Sequence, residues 1–262
     1  MMDDFTRELE ACAKFKQRSF TTVVENHIPL LQNHTEKPQI VLLGDSMIER
    51  MITTGDSHSF QPWPSSTMLP DTPTETGPGA SGGSAPFTRL DHVFNAGVGG
   101  DRYEHILYRL VGDNTEGRQL PGLLATLKGC DIALWVVHAG TNNLHPKRGL
   151  TDADVEKLRL VLQAVLRISP PGARLLLTGL FRRTDIADPL VEEANRKLEG
   201  LVVSMNEPAA PRISFVAAPQ TVLEEHLDDH VHLNAEGYRL WMRYLYPEIL
   251  GALRAREESE GR

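Results

Sequence analysis

The chain has 262 residues, of which 40% are hydrophobic and 24% are charged. This composition suffices for one substantial hydrophobic core and predicts a folded domain rather than a disordered chain. The net charge of -8 and the absence of a Lys- and Arg-rich run exclude an electrostatic footprint for nucleic acid or for an anionic membrane surface.

Neither a membrane anchor nor a disulfide-rich scaffold is indicated. No apolar stretch approaches the roughly 20 residues that span a bilayer, and residues 1–18 carry charges where a secretory signal needs an apolar centre. We therefore expect a cytoplasmic location. Cys12 and Cys130 stand far apart, without a partner at zinc-binding spacing, so we expect neither a disulfide framework nor a structural zinc.

Five short apolar runs follow a predicted N-terminal helical segment, residues 1–38, which we expect to pack on the main domain. Each run is rich in strand formers and is separated from the next by a helical or loop-rich interval. The five predicted strands are residues 39–44, 91–95, 131–138, 173–179 and 212–217.

Helices are predicted over residues 151–169, 188–206 and 234–255, with Pro247 expected to kink or split the third. Alternating strands and helices favour a parallel sheet covered on both faces. The predicted fold class is therefore α/β: a three-layer α/β/α sandwich, flavodoxin-like, with a five-stranded parallel sheet. Ligands of such sheets bind outside the carboxyl ends of the strands.

Residues 53–86 interrupt this pattern, because they are dense in Pro, Gly, Ser and Thr and have little apolar periodicity. Within a main domain at 39–255 we interpret them as a flexible insertion, either disordered or a flap over the site; Phe60 and Trp63 keep the flap in consideration. A disordered tail is expected at 256–262.

Ser46 is the candidate nucleophile. It stands in Gly-Asp-Ser-Met at 44–47, between a buried strand and a segment that can begin a helix, so its N–H would point outward from a helix N-terminus. A second Gly-Asp-Ser, at 55–57, has no preceding strand to hold its serine, and we interpret it as coincidence.

A serine hydroxyl needs a base, and the base needs a group that holds its ring. Asp229 lies three residues before His232, close enough for a local turn to bring carboxylate and imidazole together. A serine after a strand is often only a helix cap, and a histidine in a loop only a surface residue. Their joint occurrence favours a Ser-His-Asp triad.

Two further motifs offer donors for an oxyanion. Asn-Ala-Gly-Val-Gly-Gly-Asp at 95–101 follows the second predicted strand, and its glycines allow backbone N–H groups to approach a ligand. Gly-Thr-Asn-Asn at 140–143 follows the third and supplies a side-chain amide. Both motifs lie where the sheet would present them.

These four blocks, in this order, resemble the SGNH hydrolase superfamily, also called GDSL-type esterases, over residues 39–250. The resemblance implies a serine nucleophile at Ser46 and a base at His232 that Asp229 orients. It also implies oxyanion donors from the N–H of Ser46, the N–H of Gly100 and the side chain of Asn142.

Within the superfamily the blocks most resemble the catalytic subunits of intracellular platelet-activating-factor acetylhydrolase. That implies removal of a short acyl group, typically acetyl, from a small-molecule or lipid ester, without metal or cofactor, by an enzyme compatible with a homodimer. A carbohydrate O-acetylesterase and a lysophospholipase-like esterase remain alternatives. So does a catalytically silent binding or scaffold protein, because fold alone does not establish activity.

A metal site and a dinucleotide site are weaker interpretations, because each rests on a single motif. His226 and His230 are spaced as metal ligands on a helix, but zinc proteases need Glu where Leu227 stands. The glycine-rich turn at 97–100 suggests a dinucleotide site, but Arg102 occupies the third glycine position of that fingerprint.

Phe181, Arg182 and Arg183 follow the fourth predicted strand. They could line the pocket for the acyl or leaving group. A solvated basic turn is the simpler interpretation.

Overall fold

The computed structural model describes residues 4–70, 88–208 and 210–260. In chain order its strands are β1 (Ile40–Gly44), β2 (Val93–Gly97), β3 (Gly112–Asp113), β4 (Leu120–Pro121), β5 (Leu134–His138), β6 (Arg174–Thr178) and β7 (Ile213–Val216). The main sheet is parallel and has the order β2-β1-β5-β6-β7, whereas β3 and β4 form a small antiparallel pair. The predicted fold class is confirmed.

Helices cover both faces of this sheet. They are α1 (Asp4–Cys12), α2 (Gln17–Thr22), a π-helical turn (Val23–His27), α3 (Ile28–Asn33), α4 (Ser46–Thr53), α5 (Tyr103–Val111), α6 (Leu123–Leu127), α7 (Asp152–Ile168), α8 (Asp188–Met205), a 3₁₀ turn (Glu224–His226) and α9 (Ala235–Glu260). In the described ranges, none of these helices combines the length and apolar character needed to cross a membrane.

Alternate side chains of the strands enter two separate cores. In β1, Val41 and Leu43 pack with residues of α5, α7 and α8, whereas Ile40 and Leu42 pack with residues of α4 and α9. This two-sided burial explains why the strands are continuously apolar in sequence. The sheet is thus the middle of three layers.

The strand order reverses between β1 and β5. Chain segments that leave the carboxyl ends of these two strands therefore diverge and open a crevice at the edge of the sheet. Gly44, the last residue of β1, pairs with Gly97 of β2 and His138 of β5. The loops that follow the three strands consequently start at the same level.

All five predicted strands exist, with small differences at their ends. Strand β5 begins at Leu134, three residues later than predicted, and β2 runs to Gly97, two residues beyond its predicted end. A Cβ at Gly97 would lie 2.2 Å from the backbone N of Glu49. Glycine is required there because α4 crosses directly over the end of the strand. Gly97 therefore continues the strand, whereas the prediction had ended the strand before it.

The N-terminal helical segment shares the core of the main domain. Leu9, Val23, Ile28 and Leu31 are buried in the same cluster as residues of the sheet. Residues 1–3 lie outside the described part of the chain. The segment therefore supports one face of the sheet.

Helix ends agree with the predicted signals in α7 but not in α9. Thr151 caps α7, accepting a hydrogen bond from the Asp154 N–H at 3.2 Å. Helix α9 runs through Pro247 without being split. The prediction of a disordered tail at 256–262 was wrong for residues 256–260, because they continue α9 and Arg256 forms an ion pair with Asp131. Residues 261–262 lie outside the described residues.

The first part of the predicted flexible insertion is packed against the protein. Trp63, Met68 and Leu69 are buried in the core between α4, α9 and the sheet. Ser57, in the second Gly-Asp-Ser, donates to the Gly55 carbonyl and accepts from the Ser65 N–H, so its hydroxyl fixes a turn. Residues 71–87 lie outside the described residues, and a flap there stays a prediction.

Candidate active site

Ser46 is the first residue of α4, directly beyond the carboxyl end of β1. Asp45 caps this helix, because its Oδ1 accepts a hydrogen bond from the Met47 N–H at 3.0 Å. The N–H of Ser46 is among the first four of the helix, which have no partner within it. Ser46 is 7% exposed, so its hydroxyl is held at a rigid junction that still reaches solvent.

The structure brings the three residues of the predicted triad together. His232 Nε2 lies 2.9 Å from Ser46 Oγ, and His232 Nδ1 lies 2.7 Å from Asp229 Oδ2. With its proton on Nδ1, the imidazole donates to Asp229 and offers Nε2 to the serine hydroxyl. This is the geometry in which a histidine can act as a base toward serine.

Asp229 is fixed by the turn that it begins. Its Oδ1 accepts hydrogen bonds from the N–H groups of Val231 and His232, both at 2.8 Å. Burial would raise the pKa of the Asp229 carboxyl, but the hydrogen bonds from the His232 backbone, the His232 ring and the Val231 N–H hold this pKa well below its usual range. The carboxylate therefore stays ionised next to the imidazole.

Gly100 lies in a four-residue turn after β2. The Asp101 N–H donates to the Val98 carbonyl at 3.2 Å, and Gly100 has a φ of +74°. Both are features of a type II turn, whose third position favours glycine because other residues are strained at positive φ. The turn leaves Gly100 exposed at the edge of the sheet.

Asn142 follows β5 and contacts this turn. Its Nδ2 donates to the Asp101 carbonyl at 2.9 Å. A carboxamide has two N–H groups, so this bond orients the Asn142 side chain and leaves its second N–H for a ligand. The neighbouring Asn143 has a structural role: it accepts from the Tyr103 N–H and donates to Asp154.

A buried ion pair supports the loops from below. Arg109 Nε lies 2.7 Å from Asp101 Oδ2, and both side chains are fully buried. Arg109 also donates to the carbonyls of Ala96 and Gly44, at 2.9 and 3.1 Å. One guanidinium thus joins the ends of β1 and β2 to the turn that carries Gly100.

The profile of the GDSL-like lipase/acylhydrolase family matches residues 42–240. The chain belongs to this family. It is therefore an ester hydrolase, as the resemblance of the four sequence blocks implied.

Curated relatives agree with the family, and a solved structure shares the fold. Subunit alpha1 of platelet-activating factor acetylhydrolase IB from Rattus norvegicus is 26% identical over 243 residues, 90% of this chain and 85% of the relative. Subunit alpha2 from the same organism is 23% identical over 86% of this chain and 82% of the relative. A carbohydrate esterase family 3 structure from Talaromyces cellulolyticus matches with a TM-score of 0.52 and 17% identity, covering 83% of this chain and 98% of that one; this likeness concerns the fold.

The Asp of the Gly-Asp-Ser motif is buried in this GDSL-family chain. Asp45 Oδ2 has no hydrogen-bond partner among the described residues. Burial raises the pKa of the Asp45 carboxyl to about 7. Burial therefore disfavours a negative charge on Asp45 beside Ser46.

The basic turn after β6 differs from the simpler sequence interpretation. Arg183 is not a solvated residue: its side chain is 10% exposed and pairs with Asp185, and it donates to the Thr141 carbonyl at 2.8 Å. It thereby supports the loop that carries Asn142. Arg182 faces Asp188 at 3.8 Å, and Phe181 is buried.

The metal and dinucleotide interpretations find no support in the described residues. There, no group of three or more His, Cys, Asp or Glu side chains could hold a metal ion. His226 Nδ1 accepts from the Leu223 N–H, whereas His230 lies 4.0 Å from Asp185. The N–H of Tyr103, which begins α5 after the glycine-rich turn, is already bonded to Asn143.

Sequence reasoning missed the residues that support the site. Arg109 carries a signal, since a charged residue stands in the apolar stretch Ile106–Leu110 of an otherwise buried helix face. Lys16 carries none, because it is one of several basic residues in the N-terminal segment. The structure nevertheless places its ammonium 2.8 Å from the Gly99 carbonyl.

Proposed function

We propose that this chain is a serine esterase that removes short acyl groups, acetyl in the first instance, through Ser46, His232 and Asp229. The continuous chain of hydrogen bonds from Asp229 through His232 to Ser46, at 2.7 and 2.9 Å, carries the proposal. A catalytically silent scaffold has no need for a hydrogen-bonded series of Asp229, His232 and Ser46.

In the proposed reaction His232 Nε2 takes the proton of Ser46 as Oγ attacks the ester carbonyl. The tetrahedral oxyanion accepts hydrogen bonds from the N–H of Ser46, the N–H of Gly100 and the Asn142 amide. Collapse breaks the bond to the alcohol, which leaves with the proton from His232. His232 then deprotonates a water molecule, which attacks the acyl-enzyme; the carboxylic acid departs and Ser46 regains its proton.

The preference for acetyl rests on relatives whose names describe acetylhydrolase subunits. A lipid ester and an acetylated sugar both present the acetyl ester that the proposed reaction cleaves. A cytoplasmic location and a homodimer stay predictions.

Hydrolysis of p-nitrophenyl acetate, butyrate and octanoate tests the proposal, with and without a chelator. We expect activity that falls with chain length, survives chelation and is lost in Ser46→Ala, because alanine has no attacking oxygen. Ser57→Ala is the matched control, since Ser57 stands in the second Gly-Asp-Ser copy and has a structural role. Activity that persists in Ser46→Ala would contradict the proposal.

Acetate release from two natural-type esters separates the substrate classes. The comparison uses a glycerophospholipid with an acetyl group at its second position and an acetylated monosaccharide. Higher kcat/KM on the phospholipid supports the acetylhydrolase reading, whereas higher kcat/KM on the sugar supports a carbohydrate esterase.

Asn142→Ala is expected to lower kcat on p-nitrophenyl acetate about a hundredfold, with little change in KM, because the amide bonds the oxyanion but not the ground-state carbonyl. Asn142→Asp keeps the size of the side chain but offers no amide donor, and we expect a similar loss. Steady-state kinetics measure both. Unchanged turnover in Asn142→Ala would remove Asn142 from the oxyanion hole.

A further inference from the structure

Lys16, in the segment before the sheet, holds the turn that carries Gly100. Its Nζ donates to the Gly99 carbonyl at 2.8 Å and lies 3.2 Å from Asp101 Oδ1. A Cβ at Gly100 would lie 3.0 Å from the same Nζ. The ammonium group therefore bonds the residues on both sides of Gly100.

The carbonyl of Gly99 and the N–H of Gly100 belong to one peptide unit. In a trans peptide these two groups point in opposite directions. A donor that fixes the carbonyl on one side of the turn therefore fixes the N–H on the other side. Because Lys16 bonds this carbonyl, it determines where the Gly100 N–H points.

This peptide unit has a competing orientation. Type I and type II turns differ mainly by rotation of their central peptide, and here that peptide joins Gly99 to Gly100. Glycine at both central positions makes either orientation sterically accessible. The hydrogen bond from Lys16 to the Gly99 carbonyl favours the orientation that is found, in which Gly100 has a φ of +74°.

The ammonium group is held in place from both ends. Lys16 is the N-cap residue directly before α2, and its carbonyl accepts a hydrogen bond from the Phe20 N–H at 3.0 Å. Its other partner, the Asp101 carboxylate, is fully buried. This carboxylate also accepts hydrogen bonds from Ser19 Oγ at 2.5 Å and from Arg109 Nε at 2.7 Å. Lys16 is thus part of a fixed network, unlike a solvated surface lysine.

We infer that Lys16 is a positioning residue of the oxyanion hole, which orients and polarises the Gly99–Gly100 peptide so that its N–H donates to the oxyanion. The inference rests on the proposed esterase function. A positive charge on the carbonyl side strengthens the N–H as a donor, because hydrogen bonds that share a peptide reinforce each other. Lys16 itself need not touch the substrate.

Lys16→Met tests the inference, since methionine keeps most of the chain length and loses the charge and the donor. We expect kcat on p-nitrophenyl acetate to fall about 10- to 100-fold, up to the loss of one oxyanion donor, with KM within about twofold of wild type. Affinity for a boronic acid, which forms a tetrahedral adduct on Ser46, is expected to fall in parallel. Lys16→Arg, which keeps a charged donor, is expected to recover part of the loss.

Lys14→Met is the matched control. Lys14 lies two residues from Lys16 and is exposed, so this variant removes the same charge without touching the turn. NMR supplies a readout independent of activity: the ¹⁵N shift of the Gly100 amide is expected to change in Lys16→Met and not in Lys14→Met. Should Lys16→Met fail to fold, Lys16→Gln, which keeps a neutral donor, takes its place and is expected to lose less turnover.

Failure of this inference differs from failure of the proposed function. If wild type has no Ser46-dependent esterase activity, the proposed function is wrong. If wild type is active and Lys16→Met, or Lys16→Gln in its place, matches Lys14→Met in kcat, the positioning role is overturned. A rise in KM with unchanged kcat also overturns it, because it assigns Lys16 to substrate binding.

Discussion

Replacement of His232 by alanine is expected to lower kcat for ester hydrolysis by about 10⁴-fold or more, with a much smaller change in KM. In the proposed mechanism the imidazole is the base; its Nε2 lies 2.9 Å from Ser46 Oγ and its Nδ1 lies 2.7 Å from Asp229 Oδ2. Without the ring, the serine hydroxyl keeps its proton at neutral pH and is a poor nucleophile. Steady-state hydrolysis of p-nitrophenyl acetate measures the loss.

The double variant Ser46→Ala/His232→Ala distinguishes a triad from two independent residues. We expect its kcat to equal that of the less active single variant, because the two side chains act as one unit. His230→Ala is the control, since His230 lies two residues from His232 and faces Asp185 instead of the serine. The assignment would be contradicted if the loss of kcat in the double variant were the product of the two single losses. It would also be contradicted if His230→Ala lost as much kcat as His232→Ala.

The position of the candidate site was predictable because the order of the motifs in the sequence follows the order of the strands in the chain. Ser46, Gly100 and Asn142 each come shortly after an apolar run, and the carboxyl ends of parallel strands meet at one edge of a sheet. The spacing of Asp229 and His232 was informative for a local reason: an aspartate that caps its own turn brings its second oxygen to the ring three residues on. The topology of a parallel sheet sufficed for the first inference, and local geometry sufficed for the second.

The contact of Lys16 with the site was not predictable, because it is a long-range contact. Lys16 reaches Gly99 across 83 residues of sequence, and no local pattern separates it from Lys14. The composition of residues 54–70 also misled, since a segment rich in Pro, Gly and Ser can pack through a few apolar anchors. Trp63 and Met68 are too sparse to give a periodic signal, yet both are buried.

Arg109→Met is expected to reduce the free energy of unfolding by about 3–5 kcal/mol, because it leaves the Asp101 carboxylate buried without its principal partner. The carbonyls of Ala96 and Gly44 lose their donors at the same time. A change of this size lowers the melting temperature of a chain of this length by roughly 10 °C. Thermal and urea unfolding, followed by circular dichroism, measure both quantities.

Two comparisons separate loss of the ion pair from loss of a side chain. Arg159→Met removes an arginine whose partner, Glu156, is exposed on the surface, and we expect a change of less than about 1 kcal/mol. In Arg109→Met/Asp101→Asn the stranded charge is gone, so the double variant is expected to be more stable than Arg109→Met alone. Equal stability of Arg109→Met and Arg159→Met would contradict the supporting role of the pair. Because the same guanidinium holds the ends of β1 and β2 beneath Ser46 and Gly100, we also expect the folded fraction of Arg109→Met to turn over more slowly than wild type.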